Sequence, residues 1–549
     1  MTPKELREQA DHLFTKKLPL NNLHQEIAEN FYPERADFTT KRYLGDDYAG
    51  NLMTSYPTLC RRDLGDSIAT MLRNTSQPWF EMATTDPRRE DNEAKAWLQW
   101  ATGLQRRAMY DPDAALNKAC KLGDHDFATF GQAVLTARLN RDGDTLLYRC
   151  YHLRDVSWME DEDGKICCVF RRWKPACRDL VRLFGKGSYA RPKNSVHANI
   201  TRMAAKKPFE EVECLHMMVK SDMYDDKDNK PWRSIYYDCQ NNHVMESVGQ
   251  WTKEYVIPRW QTLGSQYAIS PATTIALPDA RLLQAMTATI LEAGEKIVNP
   301  AMIATQQAVR SDMDITPGGV TWVEYDYDER LGAALRPMTT DAKGMPLTQE
   351  MQRDCRALLS QCFYLNKIKP FLPSQDKEMT AFQAGQIVAQ YIRDALPLFE
   401  PMEAEYNGAL CNETFEVLMR GGAFGPPQTM PRSLQGADIK FHFKSPLHEA
   451  IESQKGQKFL QMGQMIAQAM QLDKSVAALP DAAVALRDAL DGIGVPAKWV
   501  RSEVTVEQMK AQAQAQEQAA QQLAIAQQGA DVVQKLGGAV SDMQMAKAA

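Results

Sequence analysis

From Pro278 to Asn299 the chain reads PDARLLQAMTATILEAGEKIVN. Its apolar positions Leu282, Leu283, Met286, Ile290, Ala293, Ile297 and Val298 recur near helical spacing. Proline at a first helical position is pre-set for helix and loses no needed donor, so the pattern predicts a helix opening at Pro278. Asn299-Pro300 predicts its end, because a residue preceding proline avoids the α region. At about 1.5 Å per residue the rod is roughly 30 Å long. GSQYAISPATTIALPDA (Gly264–Ala280) reads as the loop leading into it. A second stripe, Leu347, Met351, Cys355, Leu358, Leu359 and Cys362, predicts a helix within Pro346–Asn366. Between the two, a Pro317-Gly318-Gly319 turn precedes VTWVEYDY, which alternates as a strand does.

Elsewhere the period switches twice. Residues 1–75 and Ala94–Tyr110 carry helical spacing, separated by a polar, proline-containing break near Thr84–Glu93. From about 130 to 260 the period is two. Asp142-Gly143 and Asp163-Gly164 lie between alternating runs and predict hairpins, and Asn241-Asn242 predicts a third strand pair within Trp232–Val248. After the second stripe comes a polar loop with two prolines, Lys367–Met379. Thr380 and Gln383 then have capping-box spacing. The helix they open, Ala381–Arg420, should kink or break at Pro397 and Pro401 and stop at Gly421-Gly422. IKFHFK (Ile439–Lys444) predicts a strand, and Leu447–Leu472 and Pro480–Leu490 predict helices. The Ala/Gln-rich tail from Thr505 has high helix propensity but few large apolar anchors.

Bulk properties narrow the class. With 549 residues, several domains are expected. Hydrophobic content of 44% and charged content of 24% are globular values. No apolar run approaches the roughly 18 residues of a bilayer span. The charged start, MTPKELREQADHLFTKK, predicts no signal peptide and synthesis in a cytoplasm. Eleven scattered cysteines without a C-x-x-C pair predict reduced, mostly buried thiols and no zinc site. The net charge of −6 lacks the basic excess of a dedicated duplex binder, so any DNA would pass by rather than be gripped.

The order helix, small β unit, helix, proline-containing loop and long kinked helix, with EKIVNPAMIA (Glu295–Ala304) after the rod, resembles the portal (head-to-tail connector) proteins of short-tailed, podovirus-type bacteriophages. The resemblance is most extensive from 250 to 430 and weakest in the tail. It implies an α+β portal fold: wing 1–277, stem helix 278–299, clip 300–345, returning stem helix 346–366, tunnel loop 367–379, kinked helix and wing return 380–445, and helical crown 446–549. It further implies a virion protein, made in the bacterial host cytoplasm, forming a ring of twelve copies at one capsid vertex. Double-stranded DNA passes through such a ring during packaging and ejection. Terminase, tail or adaptor proteins, capsid and scaffolding proteins are the implied partners, with no membrane involved.

Candidate residues follow from this frame. Leu282, Met286, Ile290 and Ile297 are the expected stem interface. Lys367, Lys369 and Lys377 would form a mobile basic collar touching phosphates transiently, against the plainer reading of a solvated loop. Glu324, Asp326, Asp328 and Glu329 are either a solvated strand edge or a clip lining that repels phosphates or docks a basic partner; residues two apart share one strand face. Arg171, Arg172 and Lys174 beside Trp173 read as wing surface. Gly185-Lys186-Gly187-Ser188 lacks the glycine five residues before its lysine, so Walker-A geometry is absent. No H-E-x-x-H, G-x-S-x-G or zinc-spaced cluster occurs, and the expectation is a non-enzyme with no catalytic residue, cofactor or metal. The rival readings are an internal virion or ejection protein, which the tail fits and the central order does not, and an enzyme of unknown type.

Overall fold

Local signals set the first elements. Thr2 and Glu5 form a reciprocal capping box that opens α1 (Pro3–Lys16). Pro19 sits in the first turn of α2 (Leu18–Phe31). In this computed structural model the described residues are 1–298 apart from 44, 74–77, 186–193, 225–228 and 263, then 300–304, 335–337, 345–368, 402–443, 458–468, 481–493 and scattered positions from 495 to 518. The chain divides into two compact units. The first comprises Met1–Trp79, Leu104–Phe424 and Phe443–Leu447; the second comprises Phe80–Gly103, Gly425–His442 and His448–Ala549.

The helical expectation for residues 1–75 holds for α1, α2 and α3 (Tyr56–Leu72) but not between α2 and α3, where a 3-10 turn at Pro33–Arg35 is followed by bends. In the second unit, β1 (Phe80–Thr84) pairs with β14 (Ile439–Phe443), where a strand is expected, and Phe80 meets Phe441 at 5.8 Å between ring centroids. The helix Ala482–Ile493 also lies in this unit, and α4 (Asn92–Met109) begins there. Periodicity does not predict α5 (Leu116–Phe130). This helix buries Asp124, Asp126 and Thr129 beside Leu116, Ala119, Cys120, Phe127 and Phe130, so charged residues interrupt its buried side.

The three predicted strand pairs form, turning at Gly143 (φ 81), Gly164 (φ 71) and Asn242 (φ 53). The neighbouring hairpins nevertheless enter different sheets. β2 (Val134–Leu139) and β3 (Leu146–Tyr151) join β9 (Tyr255–Val256) in the order β3-β2-β9. β4 (Val156–Glu160), β5 (Ile166–Trp173), β6 (Cys214–Lys220), β7 (Trp232–Asp238) and β8 (His243–Gln250) form a five-stranded antiparallel meander. Leu6, Ala10, Leu13 and Phe14 of α1 cover one face, packing on Phe170, Met217 and Ile235. Leu180 and Phe184 of α6 (Cys177–Phe184) and Ile200 of α7 (Ala198–Lys206) cover the other, with Cys214, Tyr236 and Met245. A strand buried on both faces does not alternate, so CLHMMVK, which is β6, carries no period-two signal.

After two short strands, β10 (Gln261–Thr262) and β11 (Ala268–Ile269), comes α8 (Pro271–Val298). It starts seven residues before the expected Pro278, which lies inside it. Ser270-Pro271 supplies the same start signal earlier, the Ser270 hydroxyl accepting from the Thr273 amide at 3.5 Å. The Ser270 and Thr273 hydroxyls tie this start to carbonyls of α5, and the helix runs on through Pro278 despite the intrahelical bond lost there. β12 (Met302–Ala304) then pairs antiparallel with β13 (Leu335–Pro337), and the chain returns as α9 (Met345–Cys362). The returning helix ends four residues before the expected Asn366: Tyr364 adopts φ 57 and a short α10 (Leu365–Ile368) follows. That turn lets Phe363 and Leu365 both be buried.

The expected kinks at Pro397 and Pro401 and the capping box at Thr380 lie outside the described residues. Past them a π-helical turn, Glu403–Gly408, runs into the helix Ala409–Arg420. Of the predicted Gly421-Gly422 stop, Gly422 alone is left-handed (φ 74). Its amide reaches the Met419 carbonyl and that of Ala423 the Leu418 carbonyl, the paired bonds of a Schellman cap. All eleven cysteines are free and most are buried.

Candidate functional site

α8 and α9 pack along each other, and α8 is seated at its start with little freedom. Gly131, the left-handed cap of α5, faces the chain just before α8. A Cβ there would lie 2.1 Å from the carbonyl atoms of Ile269 and 2.3 Å from the Ser270 nitrogen. The Ser270 and Thr273 hydroxyls donate to the Ala128 and Thr129 carbonyls at 2.8 and 2.7 Å, and Gln132 accepts from the Ala268 amide at 2.9 Å. Further along, the Gln284 side chain accepts from the Met53 and Thr54 amides and donates to the Thr54 carbonyl. Arg281 pairs with Glu26, and Gln352 of α9 donates to Thr287 of α8 at 3.1 Å. The Tyr56 hydroxyl donates to the Arg356 carbonyl, tying α9 to the start of α3. None of these polar residues is singled out by periodicity. Their one sequence signal is position: Gln284 and Thr287 adjoin Leu283 and Met286.

The four expected interface residues do not share one environment. Met286 is buried by its own chain, Ile290 is half-buried, and Leu282 and Ile297 are exposed. Leu291 and Val298 on α8 and Leu347, Met351 and Leu358 on α9 are exposed as well, whereas Leu283, Cys355 and Leu359 are buried. α9 therefore has an inner apolar edge packed within the subunit and an outer one facing solvent, whereas the exposed apolar residues of α8 are spread around it, Leu282 and Leu291 lying on opposite sides. Lys367 is exposed, its ammonium 5.9 Å from the Tyr364 ring centroid. Lys369 and Lys377 lie outside the described residues, as do Glu324, Asp326, Asp328 and Glu329. Lys186 is outside them too.

Buried polar clusters hold the surrounding unit. Arg73 pairs with Asp124, donates to Asn407 at 2.8 Å and lies over the Tyr406 ring. Arg35 grips Asp126 through two nitrogens. Lys17, 1% exposed, donates to the Leu153 and Val156 carbonyls at 2.7 Å and stands over Trp158 and Tyr267, and burial lowers it to about 7.

Across the five-stranded sheet, Arg171, His216, Tyr236 and Glu246 are successive cross-strand partners. His216 bonds Tyr255 at 2.7 Å and Ser234 at 2.9 Å and stacks on Tyr236. Burial, with Arg171, Arg138 and Arg141 nearby, holds His216 well below the usual 6.5, so its imidazole is neutral. Among the described residues no His, Cys, Asp and Glu group could hold a metal ion, and no helix is long and apolar enough to cross a membrane.

Comparison with known proteins gives a consistent result. The model of the bacteriophage head to tail connecting protein family matches residues 3–500. A protein of Bordetella phage BPP-1 named "Probable portal protein" is 24% identical over 533 residues, 95% of this chain and 93% of that protein. The "Portal protein" of Salmonella phage epsilon15 is 21% identical over 469 residues, covering 82% and 80%. Among solved structures, a chain of the "Virion of native gene transfer agent (GTA) particle" gives a TM-score of 0.32 at 12% identity, over 73% of this chain and 89% of that one.

Proposed function

The chain belongs to the bacteriophage head-to-tail connecting protein family, and from that premise we propose that it is a portal subunit whose copies close into a ring at one capsid vertex. That ring is the conduit for double-stranded DNA in packaging and ejection, and the docking site for terminase and then tail proteins. The observation that carries the reading is the excursion from α8 through β12 and β13 back to α9: two packed helices joined through a strand pair, both with exposed apolar residues and α9 with an outer apolar edge. Exposed apolar edges of this kind mark contact with other copies. Identical subunits that meet head to tail satisfy all such contacts by closing a ring.

In this reading α8 and α9 are the stem. Leu282 and Ile297 face the neighbouring subunit, while Met286 belongs to the subunit's own interior. Residues 300–345 are the clip, with Glu324, Asp326, Asp328 and Glu329 as its acidic lining. Lys367, Lys369 and Lys377 belong to the loop that faces the channel. Connecting head to tail is a structural task, and the energy for packaging comes from the terminase. Negative-stain microscopy of the purified chain tests the proposal. Rings with a central opening are expected, and small globular particles at every protein concentration would overturn it.

A further inference from the structure

The sheet face that carries Arg171 opens into a cleft of about 700 Å³. Arg171 is 8% exposed and lies over Tyr151 at 4.4 Å and Trp173 at 5.2 Å. Its Nε donates to the Tyr255 hydroxyl at 3.3 Å, and no carboxylate among the described residues pairs with it. A cation withdrawn from water without a counter-charge is unfavourable unless an anion reaches it. The cleft lining holds six cationic side chains against three carboxylates, the reverse of a chain whose net charge is −6. Arg154 pairs with Asp37 and Asp155, and Arg172 with Asp11, which leaves Lys41, Arg42, Arg171 and Lys174 against Glu213 in the lining. Lys41 and Lys174 stand exposed in the lining. The cleft therefore accepts an anion with room around it.

We propose that this cleft is the acceptor half of a contact between subunits, and that its occupant is the acidic β4–β5 turn, Glu162-Asp163, of a second copy of this chain. In that turn Glu160 pairs with Arg259 and Asp161 with Lys220. Glu162 and Asp163 are exposed and have no side-chain partner among the described residues. The turn cannot reach its own cleft, because the stretch from Asp163 to Arg171 runs along β5 for roughly 26 Å. Unlike, charge-complementary patches at opposite ends of one hairpin are what a head-to-tail contact requires. The aromatic faces beside Arg171 exclude water from the pair and strengthen it.

The inference rests on the ring-forming reading above, and the test separates the two. Full-length chains carrying Glu162→Lys with Asp163→Lys, Lys41→Glu with Lys174→Glu, or all four changes are followed by sedimentation velocity across a dilution series. All four positions are exposed, so the subunit fold is not at stake. Each reversal should raise the concentration of half-assembly by roughly tenfold or more, and combining them should recover most of that loss. Either reversal assembling as the parent does, or the combination failing to recover, overturns this contact while leaving the ring intact. A parent chain that never forms rings overturns the reading on which it rests.

Discussion

The outer edge of α9 gives the sharpest test of ring assembly. Leu347, Met351 and Leu358 are 63%, 48% and 48% exposed in the single subunit. Fully burying such a side chain is typically worth about 1.5–3 kcal/mol, so the area still uncovered on these three amounts to roughly 2–5 kcal/mol per subunit interface. At 1.4 kcal/mol per factor of ten, replacing all three by Ser should weaken association by about 30-fold to 3,000-fold. A dilution series read by mass photometry measures this directly. Urea unfolding of the dissociated subunit is the control, and exposed positions should move its stability by no more than about 0.5 kcal/mol each. Leu359→Ser, on the buried side of the same helix, should instead destabilise the subunit by about 2–5 kcal/mol. Rings that dissociate at the parent concentration after the triple change would refute the interface. So would a loss of subunit stability as large as that of the Leu359 variant. Met286→Asp is not a clean probe of assembly, because Met286 is buried within the subunit.

Three further outcomes follow from the anchoring and the buried charges. Gly131→Ala should cost about 3 kcal/mol or more in urea unfolding, since it combines a left-handed φ of 71 with a Cβ 2.1 Å from the Ile269 carbonyl; a near-neutral result would mean that the start of α8 is free to move. Asp124→Asn leaves Arg73 buried without its counter-charge and should lower stability by about 3–5 kcal/mol, again read by denaturant midpoint. Burial lowers Lys17 to about 7 from the usual 10.5, so in that window the unfolded chain binds the extra proton and stability should rise with pH from about 7 to 10.5. That slope should be missing in Lys17→Met, and an unchanged slope would show that another group carries it.

Much of the architecture was legible wherever a signal is local. Asp-Gly and Asn-Asn turns between alternating runs predicted three strand pairs, because a positive φ at one residue decides a tight turn before any sheet exists. The apolar positions of α8 and α9 were legible as one stripe each, but not which of them stay inside the subunit: Met286 and Leu282 are both apolar and differ in what lies over them. Two adjacent hairpins entering different sheets, and α5 holding Asp124 and Asp126 where a stripe would be apolar, were decided by partners far along the chain. The start of α8 at Pro271 rather than Pro278 has the same origin. Both prolines carry a helix-start signal, and the carbonyls of Ala128 and Thr129, reached only when α5 is in place, select the earlier one. The basic cleft was the least legible feature. Arg171 and Trp173 sit two apart in sequence, but the strands that bring Tyr151 and Tyr255 to Arg171, with no carboxylate among the described residues pairing with it, meet only in the folded sheets.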